Sequence, residues 1–541
     1  MVAVSLTALA VGLFFVYLLV SRTSPENSDE ANILFMASDM LHGNVLLQGW
    51  VLSDVSFFTT ELPQYALLEH VFGLRPETAH IAAAMTYTLV VLLAAVLAAG
   101  RRPAVPTSER PVRAVLAAGI MIAPQLGVGV FILLLSVGHI GTAVPLMLTW
   151  LVIDRAGTDG RVRHWEAPLV AVLLAWPLIA DRLVLVAGVI PLVLVCLIRS
   201  AQAFGKPPRA AWSAWLRGGA RSARRELALI VAAAAGYGLA MAAEWLLRLN
   251  GAFTVLNVVY KLAPVSQWPG HAWVAFQGWL ALFGAKPGGS WPENVFAVLH
   301  LMGVALVLVA MFQIARRFRR GADLIDQVLL AAIVVNIASY IPCTLASAGV
   351  LNAREFAVVL PFSAALAGRT LAAPLLEAAR AGRAGRWMGV TATVVLAGYL
   401  AGLGYAAIQP PAPPANQRLA SWLAAHHLTY GIGGYWQASS VTLDSSSHVT
   451  IAAVMPRNFQ RYLWECSYAW YFPHVHTATF LVTDSAPGLG NWIPNPAAVV
   501  GYGPPAHVYH VGTYTVFVYR HENLLLGPRY YQLRRLGTGS R

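Results

Sequence analysis

"VSLTALAVGLFFVYLLVSRTSPENSDEANILFMASDMLHG", residues 4–43, begins with a run free of formal charge and then places Glu26, Asp29, Glu30 and Asp39 close together. The apolar run approaches the roughly 20 residues that a helix needs to cross a bilayer. It has no basic leading region and no Ala-x-Ala site before the acidic stretch, so it is expected to stay as a membrane helix rather than leave as a signal peptide. The acidic residues that follow then emerge at a membrane surface.

The rest of the chain agrees with that setting. Of its 541 residues, 57% are hydrophobic and 11% charged, against roughly 25% charged residues in a soluble domain. Further apolar runs lie near residues 79–99, 114–136, 139–154, 166–180, 183–198, 227–247, 294–314, 326–345, 355–374 and 388–408. The expected fold is a polytopic α-helical membrane protein of about eleven spans.

Cations orient it, because short loops rich in Lys and Arg stay cytoplasmic. The basic connections carry Arg101, Arg102, Arg110 and Arg113; Arg155, Arg161 and Arg163; Lys206, Arg209, Arg217, Arg221, Arg224 and Arg225; Arg316, Arg317, Arg319 and Arg320; and Arg380, Arg383 and Arg386. All are expected on one face. The intervening segments 22–78, 248–292 and 409–541 are then extracytoplasmic, with the N-terminus cytoplasmic and the protein in the plasma membrane. The net charge of +13 is a topology signal with anionic lipid as counter-charge and calls for no nucleic-acid partner.

Residues 408–417, "IQPPAPPANQ", close the membrane part, 1–408. A soluble extracytoplasmic α+β domain is expected over 409–541, with a short helix at "NQRLASWLAAHHL" and strands at "SVTLDSSSHVTIAAV", "TATFLVTD", "AAVVGYG" and "HVYHVGTYTVFVYRHE". The three cysteines form no disulfide framework or metal-ligand spacing, and no phosphate-binding glycine loop is present, so no nucleotide cofactor is expected. Tyr435, Trp436, Trp464, Tyr468, Trp470, Tyr471 and Trp492 suit sugar faces as well as they suit a core or a membrane interface.

The first outer loop, 22–78, carries two amphipathic segments, "NILFMASDMLHG" and "TTELPQYALLEHVFGL". Its carboxylates are either ordinary solvated groups or groups placed to face a lipid-borne substrate and a water-soluble one together. Asp29 and Glu30 are adjacent and point differently, so one of them is expected to reach the reacting atoms.

A first span, an Asp-Glu pair, "ASDMLHGN" and then "TTELPQYALLEHVFG" resemble the first outer loop of the GT-C superfamily of polyprenyl-phosphate-sugar glycosyltransferases. The similarity extends to protein O-mannosyltransferases, lipid A aminoarabinose transferases and mycobacterial arabinofuranosyltransferases. "NAREFAVVLPFSAALAGR", residues 352–369, resembles that superfamily's late span. Leu62 stands where the aminoarabinose transferases have Lys.

The resemblance implies an inverting transferase with a polyprenyl-phosphate sugar donor and a glycan or other cell-envelope acceptor, one option being arabinofuranosyl transfer in cell-wall assembly. It implies Asp29 as general base, with Glu30 and Glu61 positioning acceptor hydroxyls, or Asp29 and Glu61 holding a divalent metal cation. Tyr65 follows in the same segment, and Trp436 and Trp470 would meet the acceptor. For the donor phosphate the candidates are Arg354, Arg182 and Lys261. Arg182 is also an ion-pair candidate for Asp181, and Arg354 for Glu355. His139, at an outer hairpin, and Asp181 are candidate substrate contacts. A transporter or lipid-linked-glycan flippase is the alternative; acidic residues gathered at the surface instead of the midplane weigh against it.

Overall fold

The computed structural model describes residues 2–100, 105–135, 139–157, 163–205, 212–258, 261–319, 321–380, 382–484, 493–520 and 522–528. Arg101, Arg102, Arg161, Lys206, Arg209, Arg320 and Trp492 lie outside them.

Six helices among the described residues are long and apolar enough to cross a membrane: Pro76–Ala99, Leu185–Phe204, Arg224–Leu249, Trp291–Arg317, Val359–Arg380 and Gly389–Ala407. Three apolar helices are shorter, Leu6–Ser21, Glu166–Ala180 and Leu324–Tyr340. The chain is thus a multi-pass membrane protein. The run expected to be continuous over 114–136 is divided: the helix Glu109–Met121 stops before Pro124, and a wider π-type turn follows at Phe131–Leu135. Proline has no N–H to continue a helix and clashes with the preceding turn, which accounts for the break.

Val359–Arg380 is the central helix, buried over most of its length and packed against Pro76–Ala99, Glu109–Met121 and Trp291–Arg317. Its middle holds Arg369, which pairs with Asp154 at 3.1 Å, Asp326 at 2.5 Å and Asp323, and donates to the Leu97 carbonyl.

Above the bundle, the first outer loop folds as two helices, Ser28–Leu41 and Glu61–Phe72, packed on one another. Their amphipathic patterns were legible as helices. Among the described residues eight strands form two sheets: β1 Trp50–Leu52, β2 Thr254–Val255, β3 Tyr430–Gly433, β4 Thr450–Ala453, β5 Cys466–Ser467, β6 Phe480–Asp484, β7 His507–Val511 and β8 Tyr514–Val518. The larger sheet, in the order β4-β3-β6-β8-β7, forms the C-terminal segment with helices Gln417–Ala425, Tyr435–Asp444 and Asn495–Tyr502.

Two strand expectations fail. "SVTLDSSSHVTIAAV" starts inside the helix Tyr435–Asp444 and becomes β4 only at Thr450, and "AAVVGYG" is the helix Asn495–Tyr502. In the second case Pro496 occupies the first turn, where its missing N–H costs nothing, and short apolar runs do not distinguish helix from strand by periodicity.

The smaller sheet has the order β2-β1-β5. β1 comes from the first outer loop, β2 from the second and β5 from the C-terminal segment, with Val51 opposite Thr254 on one side and Cys466 on the other. Backbone hydrogen bonds therefore fasten three distant stretches of chain above the membrane helices.

Candidate active site

The helix Ser28–Leu41 resolves the Asp-Glu pair. Asn27 is its N-cap: the Asn27 side chain accepts from the Asp29 N–H at 2.7 Å, and Glu30 Oε2 accepts from the Asn27 N–H at 2.9 Å. This reciprocal capping box satisfies two of the free donors of the first turn. Glu30 is 1% exposed, and burial followed by the charge of Asp29 pushes its carboxyl well above the usual range. Its place is therefore in the helix cap. Asp29, turned about 100° away on the helix, faces elsewhere.

That direction is a cavity of about 150 Å³ lined by Asp29, Ser53, Asp54, His139, Asn352, Arg354, Glu355, Trp464 and Glu465 among others. Arg354, on the short helix Val350–Phe356 ahead of the central helix, donates through Nη1 to Asp29 Oδ2 at 3.3 Å. Its Nε lies 3.8 Å from Glu355 Oε1 and makes no hydrogen bond. A guanidinium with a spare donor at the wall of a cavity is suited to a phosphate oxygen.

On its other side Asp29 Oδ1 accepts from the Tyr435 hydroxyl at 2.6 Å. The same hydroxyl lies 3.0 Å from Glu465 Oε2, and Asn32 Nδ2 donates to it at 3.2 Å. One hydroxyl proton cannot serve two carboxylates. Glu465 is buried, and burial together with the neighbouring charge of Asp29 raises its carboxyl to about 8. A neutral Glu465 donates its own proton to Tyr435, and the chain Glu465–Tyr435–Asp29 is then fully bonded. Glu465 itself sits at φ 47°, a left-handed conformation uncommon outside glycine, which is the kind of local cost found where side-chain placement matters.

His139 closes the third side. Its Nδ1 lies 2.9 Å from Asp181 Oδ2 and its Nε2 3.4 Å from Glu355 Oε2. Burial works against charging the ring, but Glu355 and Asp181 outweigh it and hold the imidazolium up to about 9. Asp54 is raised to about 6 by burial and by Glu355.

The remaining candidates stand apart from this cavity. Glu61 is bonded by the Thr60 hydroxyl and buried, its carboxyl raised to about 7 by burial. Tyr65 is 4% exposed beside it in the helix Glu61–Phe72. Arg182 pairs with Glu244 at 3.2 Å on an exposed surface, not with Asp181, whose carboxylate takes the Leu183 N–H and His139. Lys261 is exposed in the second outer loop. Trp436 packs edge-on against Tyr435, and Trp470 lies with Trp50 and Phe35 in a separate groove.

Sequence reasoning missed Glu465, Asp54 and the role of the Tyr435 hydroxyl. The one signal for Glu465 is a lone carboxylate in "RYLWECSYAW", since an acid among apolar and aromatic residues must be neutral or paired. Among the described residues no group of three or more His, Cys, Asp and Glu is arranged to hold a metal ion. Of the expected pair, Asp29 lines the cavity, and Glu61, which accepts from the Thr60 hydroxyl, is not among the lining residues.

No protein-family model matches the chain, and no curated sequence does. Two solved structures are similar in outline. ArnT from Cupriavidus metallidurans bound to undecaprenyl phosphate is 13% identical with a TM-score of 0.42, over 95% of this chain and 97% of that one. The same protein in the apo state is 13% identical with a TM-score of 0.41, over 96% and 98%. No residue of the cavity is assigned from either.

Proposed function

We propose that the chain is an inverting membrane glycosyltransferase of the GT-C type, moving a sugar from a polyprenyl-phosphate donor to an extracytoplasmic glycan or other cell-envelope acceptor. The observation that carries this reading is the meeting of Asp29 and Arg354 at 3.3 Å on the wall of one cavity. Those two residues are 325 positions apart in sequence, and each is a candidate from sequence for one half of the same reaction.

The chemistry follows from what such a donor lacks and carries. The acceptor hydroxyl attacks the anomeric carbon, the bond from that carbon to the phosphate oxygen breaks, and polyprenyl phosphate departs with the bonding pair. Asp29 takes the hydroxyl proton, and Arg354 answers the charge on the departing phosphate. Before the donor arrives each neutralises the other. A phosphate on Arg354 displaces Asp29 and leaves its oxygen available to the acceptor, while Tyr435 and neutral Glu465 hold the carboxylate in place. His139 holds Glu355 through one oxygen, at 3.4 Å, while the other stays at ion-pair distance from Arg354, at 3.8 Å. Glu30 acts by capping the helix that presents Asp29.

The orientation of the basic loops supports an N-terminus in the cytoplasm and a cavity on the outer side. Arabinofuranose is the proposed sugar; its support is the resemblance of the first loop alone. The test is transfer in liposomes, with labelled polyprenyl-phosphate arabinofuranose, mannose and aminoarabinose offered in turn with envelope glycan. Wild-type protein is expected to label the acceptor and Asp29→Asn is not. Accumulation of solute inside the liposomes with no glycosyl product would replace the transferase by a transporter.

A further inference from the structure

A second concavity, of about 390 Å³, lies between the helix Ser28–Leu41 and the C-terminal segment. We propose that it is the binding groove for the acceptor chain, taking a neutral glycan two or more sugar residues away from the residue that reacts. This rests on the transferase reading above and adds to it a second site and a substrate class.

The groove is built from rigid aromatic rings. Trp470 stands edge-on to Trp50, with ring centres 5.3 Å apart, and to Phe35 at 6.1 Å. Tyr430 stacks on His476 at 4.5 Å and 10°, while its hydroxyl donates to the Trp470 carbonyl at 2.6 Å. Rings locked by one another lose little freedom when a ligand stacks on them, and the apolar face of a sugar ring is such a ligand.

The polar side is as specific. Asp39 Oδ2 accepts from Trp50 Nε1 and from Asn44 Nδ2, both at 2.7 Å. The carboxylate is thereby fixed in the wall, and Oδ1 remains to accept from a ligand hydroxyl. Serine and threonine hydroxyls and the His42 and His476 rings complete the polar lining, and no Lys or Arg is among it. With one carboxylate and no fixed cation, the lining lacks the groups that hold phosphate, which argues against nucleic acid and phosphorylated lipid headgroups. Its hydroxyl content is what a polyhydroxylated, uncharged ligand would pair with.

Its position gives the groove its role. The helix Ser28–Leu41 presents Asp29 to the reaction cavity at one end and Ser38 and Asp39 to the groove at the other. Ten residues of helix separate the two aspartates by about 15 Å. A second strand of chain links them in the same way: Trp464 and Glu465 line the cavity, and Ser467, Ala469 and Trp470 line the groove. One extended acceptor lying along that helix would touch both.

The test uses the full chain in detergent with arabinan, manno- and cello-hexasaccharides as probes, followed by intrinsic tryptophan fluorescence and calorimetry. At least one is expected to bind. Trp470→Ala should weaken binding about tenfold or more, Trp470→Phe should restore most of it, and Ala469→Trp, which fills an exposed edge of the groove, should abolish it. No binding by any hexasaccharide, or undiminished binding by Ala469→Trp of wild-type thermal stability, would overturn the proposal. The two readings fail separately. Binding without transfer removes the transferase, whereas transfer that Ala469→Trp leaves untouched, at an unchanged KM for a long acceptor, removes the groove.

Discussion

Arg354 and Arg369 lie on the same stretch of chain and meet carboxylates in opposite ways. Arg369 is 6% exposed, bonded to three aspartates and a backbone carbonyl. All three of its nitrogens donate, so the cluster ties four helices together. Arg354 has one hydrogen-bonded carboxylate, an Nε without a bond, and a cavity in front of it. Buried charge is costly unless paired, and the first cluster completes the pairing while the second leaves it open to a substrate. Saturation separates a lock from a site more clearly than burial or charge count does.

The largest effect expected from that contrast is on catalysis at the open cluster. Asp29→Asn keeps the shape and removes the proton acceptor, and transfer should fall roughly a hundred- to ten-thousand-fold with thermal stability little changed. Arg369→Leu should do the reverse, leaving three aspartates facing an apolar side chain. Its stability should drop by about 3–5 kcal/mol, seen as a lower unfolding midpoint or loss of folded protein in detergent. Arg354→Gln tests the contrast directly: transfer should fall about a hundredfold with a raised KM for the donor, and the fold should survive. If Arg354→Gln unfolds the protein while Arg369→Leu does not, the division between lock and site is reversed.

A smaller effect is expected from pH. Glu465 titrates near 8 in the folded chain against a usual 4.5, so the folded state holds a proton the unfolded state has released between those values. Its contribution to stability is complete below about 4.5 and is lost as pH rises through about 8. His139 acts in the same direction over 6.5 to about 9. The unfolding midpoint should therefore decline with rising pH. Glu465→Gln should flatten the lower part of that decline, leaving the His139 part, and should preserve transfer above pH 8, where an ionised Glu465 would compete for the Tyr435 proton. The smallest effect is at Arg182→Ala. Its exposed pair with Glu244 should be worth under about 1 kcal/mol, and transfer should stay within about twofold of wild type.

What was legible in the sequence was whatever depends on neighbours along the chain. The six helices among the described residues that are long and apolar enough to cross a membrane follow from local pattern, where about eleven were expected, and Asp29 and Arg354 could be chosen because each is a charge at the end of an apolar run. The angular offset between Asp29 and Glu30 also follows from helix geometry, although the Asn27 cap that occupies Glu30 was not read. What depends on folding was out of reach. Glu465 and Tyr435 lie more than 400 residues beyond Asp29; the first is brought there where β5 pairs with β1, the second where the helix Tyr435–Asp444 packs on Ser28–Leu41. The expected pairing of Arg182 with Asp181 failed for the same reason, since its partner Glu244 is 62 residues away while the neighbouring Asp181 was taken by His139. The helix Asn495–Tyr502 was mistaken for a strand because its eight residues show no period that decides between the two.

The sheet that joins β1, β2 and β5 also sets a timetable. Glu465 and Trp464 precede β5, more than 400 residues after Asp29, so the wall they supply to the cavity does not exist until that later part of the chain has been made. A nascent or truncated chain can insert its helices and still be inert, and activity becomes a certificate of finished assembly.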